Sequence, residues 1–83
     1  MATRLTAHAE LMLVRRGIAL EWVEDTLRSP AVARPDERDE SLMLAFSWIS
    51  AAGEKWLRVV YRMEEQAHVV VTAFFDRNQE SRI

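Results

Sequence analysis

The hydrophobic period changes once along this chain, and that change limits the fold to helices followed by sheet. Ahead of Ser29, Ala7, Leu11, Val14 and Ile18 recur at spacings of four and three, and Leu20, Val23 and Leu27 behave likewise. Beyond Ser41 the period is two. Leu42, Leu44, Phe46 and Trp48 alternate, Leu57, Val59, Tyr61 and Met63 alternate again, and Val69–Phe75 is dense in β-branched and aromatic residues.

Local signals set the boundaries. Arg15 and Arg16 followed by Gly17 suit a helix C-terminus, so the first helix is expected over about 6–16. Glu21, Glu24 and Asp25 crowd the start of the second pattern, and Pro30 ends it, giving a helix over about 19–28. Ala19 is a poor cap for that helix, since it has no side-chain oxygen. Strands are expected over about 42–50, 55–63 and 68–75, joined through Gly53 and through Glu64-Glu65-Gln66. The charged stretch Ala33–Glu40 reads as a solvated loop and 76–83 as a loosely ordered tail.

Eighty-three residues give enough surface burial for one core, so residues 1–83 are expected to form one domain of the α+β class. The expected architecture is two N-terminal helices packed on one face of a three-stranded antiparallel β-meander. Parity then places Leu57, Val59 and Tyr61 under the helices, with Trp56, Arg58, Val60 and Arg62 on the open face. The same reasoning exposes Met43, Ala45, Ser47 and Ile49 on the preceding strand. Met43, Ile49, Trp56 and Val60 would form an apolar patch for a partner protein or a second copy of the chain.

Several function classes lose support from composition. There is no cysteine, and His8 and His68 lack the spacing of metal ligands, so neither a metal nor a cofactor is expected. No segment resembles a signal peptide or a membrane span, and a reducing cytoplasm is the expected location. A net charge of −2 does not favour RNA. Serine or cysteine nucleophile motifs, glycine-rich phosphate loops and paired hydrolytic carboxylates are missing.

His8, the triplet Arg16-Gly17-Ile18, Val23, Pro30, the LRVVY run at Leu57–Tyr61 and VVTA at Val70–Ala73 occur in an order that resembles the bacterial domain-of-unknown-function family four-two-five-eight. That family is similar to BrnT-like and RelE/ParE-like toxins. The resemblance implies a helix-helix-sheet fold, ribonuclease descent and an antitoxin as partner. The chain departs from the pattern at Met12, where members carry arginine, and at Ala19, where they carry a small polar residue.

Within a toxin-like reading, His8 would move protons during metal-free RNA cleavage. Arg58 and Arg62, next but one on their face, would clamp a phosphate. Their plainer roles are helix-start hydrogen bonding for His8 and ion pairs with Glu54, Glu64 or Glu65 for the arginines. Trp56 would stack a base or pack on a protein, and Tyr61 would be core. The competing reading is a non-catalytic interaction or dimerisation module on the same fold.

Overall fold

The computed structural model of the protein describes residues 2–76. In chain order the elements are β1 (Ala2–Leu5), α1 (Ala7–Arg16), α2 (Leu20–Arg28), β2 (Val32–Pro35), β3 (Met43–Ile49), a short 3-10 turn (Ser50–Ala52), β4 (Lys55–Glu64) and β5 (Ala67–Phe75). The class is α+β, but the sheet has five strands in the order β1-β5-β4-β3-β2, and β1 joins β5 in parallel. The expected three-stranded antiparallel meander is therefore corrected to a mixed five-stranded sheet. Of the tail expected to be loose, everything beyond Asp76 lies outside the described residues.

The two added strands have physical reasons. β2 emerges from the stretch expected to be a solvated loop: Arg34 and Pro35 pair with Leu44 and Met43. Pro35 is tolerated there because an edge strand need not donate along its whole length. The remaining charges build the turn, since the Asp36 carboxylate accepts from the backbone N–H of Arg38 (2.7 Å) and of Asp39 (3.1 Å). β1 is four residues long and runs beside Ala67–Val70 of β5. Beyond it the edge of β5 is capped by α1 and its flank. The Thr6 hydroxyl donates to the Val71 carbonyl (3.3 Å), and Arg16 Nη1 donates to the Ala73 carbonyl (2.7 Å).

Each helix end follows from its sequence. Thr6 Oγ1 accepts from the Ala9 N–H at 3.1 Å, a side-chain N-cap. At the other end Gly17 has φ 64°, and the Ile18 N–H reaches back to the Leu13 carbonyl at 2.9 Å, as in a Schellman motif. Ala19 starts α2 without a side-chain cap. The β4–β5 hairpin turns on Glu65 (φ 49°) and Gln66 (φ 68°), both left-handed as a two-residue primed turn requires.

The main core lies between helices and sheet, where Ala9, Leu13, Ile18, Val23 and Leu27 meet Ala45, Ile49, Leu57, Val59, Val70 and Ala73. Two facing expectations are overturned. In α1 the buried residues are Ala9, Met12 and Leu13, and Leu11 and Val14 of the periodic stripe are exposed. In β3, Ala45 opposes Val59 and Ser47 opposes Leu57, so Met43, Ala45, Ser47 and Ile49 share the helix-covered side. Leu44 and Phe46 instead join Val60 in a second buried cluster on the other face. Between Met43 and Ile49 the helix-covered side carries only the small Ala45 and Ser47, which lets α2 approach β3.

Gly17→Ala adds a Cβ that meets nothing within 4 Å, so its cost is conformational alone. We expect a loss of about 1 kcal/mol, read as a lower urea midpoint at unchanged m-value.

Candidate functional site

One row of residues crosses the helix-free face. Phe46 opposes Arg58, and Arg58 opposes Phe74 on the next strand. The Arg58 guanidinium stands 5.1 Å from the centre of the Phe46 ring and 5.2 Å from that of Phe74. The row continues outward on both sides, with Arg34 of β2 at 5.2 Å over Phe46 and Arg16 of α1 at 5.7 Å over Phe74. Three cations thus alternate with two aromatic rings, each attracted by ring quadrupoles.

The geometry is fixed by further bonds. Arg58 Nη2 lies 2.6 Å from Asp76 Oδ2, and both side chains are largely buried. Arg34 Nη1 lies 3.8 Å from Glu37 Oε1, a looser pair because Glu37 is mostly in solvent. Arg58 Nε and Arg34 Nη2 are buried without a hydrogen-bond partner. These two guanidiniums are therefore held largely by rings and packing rather than by a full set of acceptors. Beside them opens a cavity of about 440 Å³, lined by Arg34, Arg38 and Arg58, by Asp36, Glu37 and Asp76, and by the apolar Leu44 and Phe74. Three cations and three carboxylates balance formally, so an entering anion meets no net positive charge unless a carboxylate swings away. The solvated Glu37 gives way most easily. No metal is indicated here, since among the described residues no group of three or more His, Cys, Asp or Glu side chains could hold one.

Trp48 and Trp56 extend the aromatic surface by one pair. Their ring centroids are 5.5 Å apart in an edge-on arrangement, and Trp48 is exposed. Trp48 opposes Trp56 in the β3–β4 register, two residues along from Phe46 and Arg58.

The residues singled out from sequence are dispersed. His8 is exposed in the first turn of α1, and α1 packs on the face opposite Arg58. Arg62 lies four residues along β4 from Arg58, roughly 13 Å at the backbone. It bonds Glu64, which also meets Arg4 at 3.8 Å. The two arginines do not converge on one phosphate. Of the expected partner patch, Ile49 is buried under the helices and Met43 lies on the same side. Val60 and Trp56 belong to the second cluster on the other face. Arg34, Phe46, Phe74 and Asp76 escaped sequence reading. Only the pairing of β2 with β3 reveals Arg34, and parity within β5 would have found Phe74 once β4 was aligned.

On the helix side, His68 stacks edge-on with Tyr61 at 5.0 Å and borders a cavity of about 140 Å³ with Thr3, Glu24, Leu27 and Arg28. Burial lowers its pKa from the usual histidine value.

Two outcomes are expected. Asp76→Ala leaves Arg58 without this carboxylate in a nearly dry setting and should cost on the order of 3 kcal/mol, whereas Asp25→Ala, which breaks an exposed pair with Arg28, should cost little. Chemical denaturation of both variants measures the contrast. The fold favours neutral His68, so its contribution is complete above the unfolded histidine pKa of about 6.5 and declines as pH falls below it. His68→Gln should flatten the stability profile over that acid range.

Among the described residues no helix is long and apolar enough to cross a membrane. Neither a curated protein nor a solved structure matches the chain. The family described as Domain of unknown function (DUF4258) matches residues 5–75, most of the sequence with both α1 and α2, and the chain belongs to that family.

Proposed function

We propose that the protein is a toxin-like RNA-binding component of a toxin–antitoxin pair, and that the arginine–phenylalanine row on the helix-free face takes the RNA. The observation that carries this reading is Arg58, held between Phe46 and Phe74 and beside a cleft with two further arginines. A guanidinium already fixed by its neighbours loses little entropy on meeting a phosphate, and Arg58 has for it the N–H groups that Asp76 does not engage. Arg34 exchanges its loose contact with Glu37 for the phosphate, and Arg38 adds a second cation at the rim. Exposed Trp48 supplies a ring face for an unpaired base. The similarity of the family to BrnT-like and RelE/ParE-like toxins, which implies ribonuclease descent, supports RNA as the target. Cleavage through His8 gains nothing from the geometry, so the reading rests on binding rather than on proton transfer.

The second reading, a non-catalytic interaction module, is favoured by the equal number of carboxylates and arginines in the cleft and by the net charge of −2.

The two readings separate in one set of measurements. Fluorescence anisotropy with a labelled single-stranded RNA should show binding that weakens as salt rises. Arg34→Ala combined with Arg38→Ala should reduce affinity by roughly tenfold or more, with a lower unfolding midpoint because Arg34 covers the Phe46 ring, so binding is read well below that midpoint. Expression of the chain alone should arrest growth, and the double variant should relieve the arrest. Absence of RNA binding together with normal growth leaves the interaction module.

A further inference from the structure

Helix α1 is apolar on two sides, and the core uses one. Ala9, Met12 and Leu13 are buried against the sheet, and opposite them Ala7, Leu11 and Val14 face solvent, Leu11 46% and Val14 81% exposed. Beside this stripe runs an apolar groove of about 300 Å³ bordered by Leu5, Glu10, Val14, Ile18 and Leu20, with Leu20 itself 46% exposed. Exposed apolar side chains scattered singly need no explanation, but a stripe continuous with a groove marks a contact surface.

We propose that this face docks a second copy of the chain, α1 against α1 in parallel about a two-fold axis, with Glu10 of each protomer bonded to the partner's Arg15.

The charges flanking the stripe choose the occupant and its direction. Ala7, Leu11 and Val14 stand at the spacing of a coiled-coil seam, which puts Glu10 and Arg15 on its two flanks, the positions that bracket such a seam. The two residues are five apart, about 140° around the helix, and do not meet within one copy. Neither has an oppositely charged residue three or four positions away along the chain. When two parallel helices pack about a dyad, the flank carrying Glu10 meets the flank carrying Arg15, one turn and a half further along. An antiparallel pair would set each flank against itself and bring Arg15 towards the partner's His8, without a carboxylate for either. In the parallel arrangement the methylenes of the partner's Arg15 lie over the groove, and its guanidinium reaches Glu10 on the groove's border.

The size of the surface sets the strength of the association. Ten residues of helix span about 15 Å, so the contact falls at the small end of protein interfaces and the dimer is weak and concentration-dependent. It forms on the side of the sheet away from the Arg34–Arg58 cleft and leaves that cleft open. The inference therefore stands or falls apart from RNA binding.

Sedimentation velocity from low to high micromolar concentration tests it. The parent chain should shift from monomer to dimer across the range. Val14→Glu should remain monomeric with an unfolding midpoint close to that of the parent at monomeric concentration, since Val14 contributes nothing to the core. Glu10→Arg alone and Arg15→Glu alone should each weaken dimerisation by roughly tenfold or more, because each sets like charges together. The combined Glu10→Arg and Arg15→Glu variant should restore it. A parent that stays monomeric throughout, a dimer indifferent to Val14→Glu, or a double variant as weak as the single ones would each overturn the proposal, the first leaving the stripe to a different protein.

Discussion

Strand β5 is the element on which the other parts converge. It pairs antiparallel with β4 over its whole length and takes β1 in parallel along its first half. The rest of its open edge is closed by side chains, Thr6 at Val71 and Arg16 at Ala73. An unpaired strand edge is a site for unwanted pairing, and covering it with a helix is a usual remedy. Here the cover also fixes the helix. The register shift at Val60/Tyr61 lies where β1 ends and Thr6 begins, so the twist of β5 changes where its partner does.

The sheet is apolar on both faces, and the two faces are finished differently. Towards the helices, Ala45 and Ala73 leave room for α1 and α2 to approach the strands closely, and Leu57, Val59 and Val70 fill the space between. On the other face Leu44, Phe46 and Val60 are buried with none of the described helices above them. Arginine performs that covering. Arg34 and Arg58 lay their guanidiniums over the rings, which shields hydrocarbon while keeping the charge near water. Among the described residues no helix lies over this face, and long cationic side chains cover it instead.

This two-sidedness explains what the sequence could and could not disclose. The switch from a period near four to a period of two is strong, and it marks α1, α2 and the runs that become β3, β4 and β5. β1 escaped because four residues with one large apolar side chain carry no measurable period, and its pairing is set by a segment more than sixty residues away. β2 was hidden in charge: ARPD reads as solvent-facing, yet Arg34 has its chain over Phe46. The orientation of β3 was unreadable because both of its faces are apolar, Met43, Ala45 and Ile49 against Leu44, Phe46 and Trp48. In α1 the same ambiguity arose, with two apolar stripes and only one core to receive them. Alternation tells a strand from a helix, but it selects a face only when the other face is polar.

Arg16 joins the two sides. It is the last residue of α1, its Nη1 donates to a β5 carbonyl, and its guanidinium caps the Phe74 end of the row that holds Arg58. The hydrogen bond to Ala73 is charge-assisted and short, so the helix end and the strand move together. Arg16 thus ties the end of α1 both to β5 and to Phe74, the ring against which Arg58 rests. Gly17 and the Ile18–Leu13 bond close the helix turn from which Arg16 reaches the strand.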